Sequence, residues 1–282
     1  MKIGIVGQGF VGTATKEGLK KFHNVETFDI DKSKRTCETI NELIHKSNYI
    51  FVCLPTPMNK DGSCNINTVE TTVKQINNSK ICKNIKNKIV IIKSTVPPGT
   101  TERLNKECKN IQIIFNPEFL REVSPIEDFK KQNRIIIGGP RPGSTRVRQL
   151  FYKVFPNAHI IKTGSTTAEM VKYFTNTFLA TKVSFANEMK MICDKINIDY
   201  DKVLEYSVLD DRIGKSHLAV PGPDGKNGFG GSCFPKDVNA LIHLCSELNV
   251  PARTLLGAWI TNLNVRPEQD WKELKGRAVV NE

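Results

Sequence analysis

The chain has 282 residues, is 39% hydrophobic and 25% charged, and carries a formal net charge of +12 from 41 Lys+Arg against 29 Asp+Glu. That length exceeds one typical domain and predicts two units, each with its own core. The composition is that of a globular protein rather than a fibrous or disordered one. The lysines are scattered and lack the clustered face of a nucleic-acid footprint, so the excess charge reads as a solvated surface that attracts anionic ligands such as nucleotides.

The opening residues MKIGIV run directly into a strand, without a charged region followed by a long apolar one. No apolar run approaches the length of a membrane span. Eight cysteines, at 37, 53, 64, 82, 108, 193, 233 and 245, show no CxxC pair and no zinc spacing. These features predict reduced thiols in a cytoplasmic protein with no metal, no membrane partner and no nucleic acid.

In chain order, β-rich apolar runs are expected at Lys2–Val6, Val25–Asp29, Tyr49–Leu54, Lys88–Lys93, Gln112–Phe115 and Arg134–Gly139. Helical patterns fall near 11–22, 34–46, 66–80 and 100–109, then at 143–155, with a last strand over Ala158–Lys162. This alternation predicts an α/β fold, an N-terminal Rossmann-like doubly wound parallel sheet covered on both faces. A helical pattern without Gly or Pro follows from about Thr166 to Lys195, opened by Thr166-Thr167-Ala168-Glu169 as a capping box. Thirty such residues span roughly 45 Å, so this helix is expected to act as a spine between domains or as a dimer surface. Residues 199–282 add helical segments around a glycine-rich loop at 222–231. The expected division is a dinucleotide-binding domain over 1–164 and an all-α central domain over 165–265. Residues 266–282 then open a further domain, with Gly276–Val280 reading as its first strand.

Gly7-Gln8-Gly9-Phe10-Val11-Gly12 follows the first strand and opens a helix. In a dinucleotide site the first glycine permits the turn, the second lets a pyrophosphate approach, and the third allows close helix–strand packing. Asp29 ends the next strand about twenty residues on, where a carboxylate accepts ribose hydroxyls and repels a 2′-phosphate; that favours NAD over NADP. Loops at Leu54-Pro55-Thr56-Pro57 and Ser94-Thr95-Val96-Pro97-Pro98-Gly99 leave two further strand ends and border the cofactor, unless they are plain punctuation. Glu118 and Glu122, after the next strand, are either solvated surface carboxylates or groups near the reacting end of the cofactor. Lys172 and Asn176 lie four apart and share a helix face, either toward solvent or toward a cleft where they supply a cation and an amide to an oxyanion.

In Gly228-Phe229-Gly230-Gly231-Ser232-Cys233-Phe234-Pro235-Lys236-Asp237 the glycines are read as leaving the backbone bare for another molecule. Pro235 suits a helix's first turn. Cys233 then stands at a helix N-terminus, where the dipole and Lys236 favour thiolate. The alternative is a small buried Cys on a tight turn.

Seven segments in order, GIVGQGFVG, VCLPTP, KSTVPPGTT, FNPEFLREVSPIEDF, AEMVKYFTNTFLATKVSFANE, DDRIG and GFGGSCFPKD, resemble the UDP-glucose/GDP-mannose dehydrogenase family over nearly the whole chain. The resemblance implies NAD-dependent oxidation of a nucleotide sugar's C6 alcohol to the carboxylate, through a Cys thiohemiacetal and thioester. UDP-glucose to UDP-glucuronate is the first substrate implied, and GPDG at 222–225 resembles bacterial enzymes of that type. GDP-mannose or a UDP-N-acetylhexosamine is the sibling reading, and a non-catalytic NAD-binding and dimerisation module the reading of another class. Position by position, the resemblance makes Cys233 the nucleophile, Glu118 the acid/base for hydrolysis, Lys172 and Asn176 the oxyanion pair, Asp237 the assisting carboxylate, and Thr95 a neighbour of cofactor and reactive water. Gly7, Gly9, Phe10, Val11, Gly12, Asp29, Lys34, Pro55, Thr56, Thr95 and Glu122 match cofactor contacts. Glu118, Phe119, Leu120, Lys172, Asn176, Phe229 and Gly230 match substrate contacts, with Arg212 delivered from the partner of a homodimer formed through the long helix. The family's C-terminal, nucleotide-covering domain is expected to begin where this chain stops.

Overall fold

The structure, a computed structural model, describes residues 1–85 and 87–281. Two compact units result, the first made of Met1–Thr56 and Ile66–Lys172, the second of Pro57–Asn65 and the residues from Tyr173 onward.

The first unit runs β1 (Lys2–Val6), α1 (Phe10–Leu19), β2 (Asn24–Phe28), α2 (Ile40–Lys46), β3 (Tyr49–Val52), α3 (Asn67–Asn78), α4 (Lys80–Ile85), β4 (Lys88–Ile92), α5 (Thr100–Glu107), β5 (Ile111–Phe115), α6 (Pro125–Lys130), β6 (Arg134–Gly138), α7 (Gly143–Tyr152) and β7 (His159–Thr163). The strands form one sheet in the order β2-β1-β3-β4-β5-β6-β7. Alternate residues of each apolar run face opposite sides. Val6, Ile50, Val52, Val90, Ile92, Ile113 and Phe115 enter one core, while Ile3, Ile5, Phe51, Ile89, Ile91, Ile114 and Ile137 enter the other. Burial on both faces is why these strands read as continuous apolar runs rather than alternating ones.

The expected parallel sheet is broken once: β5 and β6 pair antiparallel through Phe115 and Gly138, the other neighbours being parallel. The intervening chain contains only the six-residue α6, too short for a helix that carries a chain back across a sheet. It reaches α1 instead, where Phe129 packs so closely that a Cβ at Gly18 would lie 2.2 Å from its ring.

Helix α8 (Ser165–Lys195) has 31 residues, begins in the first unit and ends in the second. The second unit continues with α9 (Tyr200–Ser207), α10 (Phe234–Glu247) and α11 (Arg253–Val265). The two compact units divide within α8, between Lys172 and Tyr173. Pro57–Asn65 joins the second unit because Met58 bridges Cys64 and Val279, with Met58 N donating to Ala278 O at 2.9 Å and Val280 N to Met58 O at 3.0 Å. The Gly276–Val280 segment thus pairs with Met58, and buried Trp271 stacks near Trp259, 5.3 Å between centroids. Among the described residues no helix is long and apolar enough to cross a membrane, and none of the eight cysteines forms a disulfide.

Candidate active site

The glycine turn after β1 assigns a separate job to each glycine. Gly7 has φ +90°, and a Cβ there would meet Cys53 O at 2.4 Å. A Cβ at Gly12 would fall 1.9 Å from Gly7 O, so α1 closes directly onto the turn. At Gly9 no protein atom lies within 4 Å of a Cβ position, which leaves room for a ligand. The N-terminus of α1, opened by half-buried Phe10 and Val11, has no side-chain cap and no acid in its first turn, so its N–H groups and positive dipole end suit a phosphate. Asp29 Oδ2 accepts from Gln8 N at 2.6 Å and its Oδ1 from Asp31 N at 2.8 Å, fixing the carboxylate against the turn. These residues fit a dinucleotide.

At the neighbouring strand ends, Ser94 Oγ accepts from Leu54 N at 2.9 Å, tying together the two loops that carry Pro55, buried Thr56 and buried Thr95. Lys34 is exposed and pairs with Asp31 at 3.2 Å. Glu122 is exposed, next to Arg121 and its partner Asp128. Glu169 does not close a capping box on its own helix. α8 already begins at Ser165, and the fully buried Glu169 carboxylate accepts from Gly99 N at 2.6 Å and Thr101 N at 2.8 Å. It caps α5 from a distance, because the Pro97-Pro98-Gly99 entry brings no side-chain cap of its own.

Beyond β5 a buried ion pair forms. Lys172 Nζ donates to Glu118 Oε1 and to Glu118 O, each at 2.8 Å, and Leu120 N donates to Oε2 at 2.7 Å. Glu118 is 7% exposed and Lys172 3%. Burial alone would push the Glu118 carboxyl up, but Lys172, the Leu120 amide and Lys93 together hold it below the usual carboxylate range. Phe119 lies under the Arg134 guanidinium at 4.1 Å and under Lys172 at 5.6 Å, and Leu120 packs on the core. Lys93, at the end of β4, donates to Asn116 Oδ1 at 2.8 Å, and Asn116 Nδ2 donates to Ile136 O at 2.7 Å. Burial pushes the Lys93 ammonium down to about 8.

In the second unit Cys233 is the N-cap of α10, with Pro235 in the first turn. Lys236 Nζ meets Asp237 Oδ1 at 2.5 Å, and Asn176 Nδ2 donates to Asp237 Oδ2 at 2.6 Å. Burial would lower the Lys236 pKa, yet the Asp237 carboxylate with the Cys233 and Cys64 thiols overcomes this and raises it above the ordinary lysine value. A permanent ammonium beside a thiol at a helix N-terminus favours thiolate. Lys172 and Asn176 are thus both buried, one engaged with Glu118 and the other with Asp237. Arg212 is exposed and pairs with Asp210 at 2.5 Å.

Gly228 and Gly230 in the Cys loop serve internal packing. A Cβ at Gly228 would lie 2.5 Å from Asn262 Oδ1, and one at Gly230 would lie 2.5 Å from the Arg266 guanidinium. Asn262 grips both sides of buried Phe229, accepting from its N at 2.7 Å and donating to its O at 3.0 Å. Arg266 binds Asp224 at 2.7 Å and Asp270 at 2.7 Å. Sequence reasoning gave no site role to Lys93, Asn116, Asn262 or Arg266, and it read Glu169 as a cap of its own helix. Lys93 left a trace in the pattern, as a charge directly after the apolar run Ile89–Ile92.

Residues 35–156 match the UDP-glucose/GDP-mannose dehydrogenase family, NAD binding domain, and residues 166–264 the central domain of the same family. The chain is similar to UDP-glucose 6-dehydrogenase TuaD of Bacillus subtilis, at 31% identity over 93% of this chain and 62% of that relative. It is also similar to UDP-glucose 6-dehydrogenase of Rickettsia bellii, at 31% identity over 95% of this chain and 68% of that one. Among solved structures, a UDP-glucose dehydrogenase from Pyrobaculum islandicum superposes with a TM-score of 0.81 at 30% identity, covering 93% of this chain and 68% of that one. The chain therefore spans 62% of the length of the Bacillus relative.

Proposed function

Because the chain belongs to the UDP-glucose/GDP-mannose dehydrogenase family, we propose that it oxidises the C6 alcohol of UDP-glucose to UDP-glucuronate. The observation that carries this reading is Cys233 at the N-terminus of α10, with Lys236 and Asp237 in the following turn and Asn176 on Asp237. A dehydrogenase that stopped at the aldehyde would have no use for that thiol.

Bound NAD would accept a hydride in each of two oxidations, held by the Gly7–Gly12 turn and Asp29. In the first oxidation the C6 hydroxyl releases its proton to water and its carbon a hydride, giving the aldehyde, while Lys172 and Asn176 stabilise negative charge on the C6 oxygen. The aldehyde cannot lose a second hydride until a nucleophile makes its carbon tetrahedral, so Cys233 Sγ adds to C6 and the oxygen takes up the charge. Loss of hydride from this thiohemiacetal leaves a thioester. Glu118 then takes a proton from water, with Asp237 and Thr95 orienting it, and the hydroxide displaces Sγ to give carboxylate and thiolate. The balance is one alcohol, two NAD and one water giving one carboxylate, two NADH and three protons. UDP-glucose is preferred to GDP-mannose or a UDP-N-acetylhexosamine on the relatives' names and the GPDG segment.

The second unit forms a homodimer along α8 in this reading. Phe174, Phe178 and Phe185 are exposed by more than half, and the first two stack at 6.2 Å. Thiols without disulfides favour a reducing, cytoplasmic setting.

The test is purified protein with NAD and UDP-glucose, following NADH absorbance and uronate together. Two NADH per uronate is the expected result. No NADH with any of the three nucleotide sugars overturns the proposal.

A further inference from the structure

The buried Glu118 carboxylate has two ammonium groups in its field, and the reaction proposed above accounts for only one. Lys172 commits two N–H donors to Glu118, through Oε1 and the main-chain O. If Lys172 also serves the substrate oxygen, its charge is shared with that oxygen, and its hold on Glu118 weakens at the step where Glu118 must still be ionised. A carboxyl this deeply buried, left to one backbone N–H, reverts to the neutral acid. Lys93 is the remaining cation. It is 3% exposed, stands at the end of β4, and donates to Asn116 Oδ1 at 2.8 Å and Asn116 O at 3.4 Å. Asn116 is fixed in turn to Ile136 O and is separated from Glu118 only by Pro117.

We propose that Lys93 is a positioning residue for Glu118: it keeps the carboxylate ionised while Lys172 turns to the substrate, and its grip on Asn116 anchors the turn that carries Glu118. This rests on the dehydrogenase reading for its purpose, though not for its geometry. The groups facing Lys93 are Cys53 from the end of β3, Glu118 after β5, Lys172 on α8 and the Phe129 ring of α6 at 5.9 Å. Burial pushes the Cys53 thiol up to about 12, so it stays neutral and Glu118 is the anion available to Lys93. A buried cation is costly to retain. A neutral donor could also bond Asn116, so the variants below separate the charge from the hydrogen bond.

Two variants separate charge from hydrogen bonding. Lys93→Gln keeps a donor for Asn116 without the charge, and Lys93→Arg keeps the charge. The full chain, labelled with 13C-carboxyl glutamate and with Glu118 assigned through Glu118→Gln, is titrated by NMR. In Lys93→Gln the Glu118 midpoint is expected to rise by about one pH unit, and in Lys93→Arg to return toward wild type. An unchanged midpoint in Lys93→Gln, or a rise that Lys93→Arg shares, overturns the proposal. Should Lys93→Gln not fold, Lys93→Met carries the same measurement, since an apolar chain of similar length leaves no buried unpaired charge. The titration needs no turnover, so failure of the dehydrogenase reading, seen as absent NADH in wild type, is distinguished from failure of this one. Where turnover is present, the acidic limb of kcat moves with the same midpoint.

Discussion

Asn176 Nδ2 and Lys236 Nζ divide the two oxygens of Asp237 between them, at 2.6 Å and 2.5 Å. The carboxylate is 1% exposed, so a long helix and the Cys-bearing helix are joined through a charge that water scarcely reaches. Asp237 N also donates to Cys233 O at 3.0 Å, which fixes the carboxylate one helical turn beyond the thiol. The same contacts hold the second unit together and set the group that would orient water for the thioester.

Removing the charge from Asp237 should therefore damage both stability and turnover. Asp237→Asn leaves the Lys236 ammonium buried without its counterion, at an expected cost of about 3–5 kcal/mol. Combining it with Lys236→Met should restore most of that stability in urea unfolding while uronate production stays low. The raised Lys236 pKa gives a sign to the pH dependence. Its contribution is complete below the ordinary lysine value of 10.5 and is lost as pH climbs through the higher folded-state value.

Cys233→Ser tests the covalent route. A serine hydroxyl is not ionised near neutral pH, so net uronate formation should fall by at least about 10³-fold. NAD affinity should be unchanged, because the glycine turn belongs to the first unit. Normal uronate output from this variant would exclude the thioester.

The glycine turn yields a paired prediction. Gly9→Ala places a methyl where the protein has no atom within 4 Å, so stability should change by less than about 0.5 kcal/mol. NAD affinity, measured by calorimetry, should weaken at least about tenfold, a change of 1.4 kcal/mol. Gly12→Ala drives a methyl to 1.9 Å from Gly7 O and should cost about 3 kcal/mol or more in stability. Wild-type NAD binding by Gly9→Ala would remove the pyrophosphate from this turn.

How far the sequence reached depended on whether a feature is periodic. β1, β3 and β4 were readable because both faces are buried and each is a nearly continuous apolar run, and the glycine turn because each spacing has its own steric reason. The antiparallel step at Phe115 and Gly138 was not readable, since a strand's pattern does not say which way its neighbour runs. Glu169 sat at the right spacing to cap α8 but serves α5, because a local motif cannot reveal a stronger demand seventy residues away. Gly228 and Gly230 have a packing reason that chain order does not announce, because a Cβ at either would meet Asn262 or Arg266.

The exposed stripe on α8 makes the proposed dimer testable. Phe178→Glu, on a surface more than half exposed, should leave the monomer's thermal unfolding nearly unchanged. Sedimentation equilibrium should show the dimer dissociating, with a weakening of at least about a hundredfold for a charge buried in an interface. A dimer of undiminished affinity would place the contact elsewhere.

Lys93 makes a prediction about stability as well as catalysis. Its folded-state value is about 8 against the ordinary 10.5, so between those limits the unfolded chain binds a proton that the folded chain has released. Stability contributed through this residue therefore rises with pH across that window, by about 1.4 kcal/mol per unit and roughly 3 kcal/mol in all. The Cys53 thiol acts in the opposite sense. Its value is raised from 9.0 to about 12, so the folded chain keeps a proton that the unfolded one loses, and stability falls over that range. The two effects overlap above pH 9, and wild-type stability alone cannot separate them. Lys93 and Cys53 shift one another, so the comparison is made in a Cys53→Ala background, where denaturant unfolding at pH 7.5, 8.5 and 9.5 should show the difference between Lys93 and Lys93→Met moving steadily in favour of Lys93. A difference that stays flat would mean the Lys93 amine titrates as it does in water, and its burial would then carry no electrostatic consequence for Glu118.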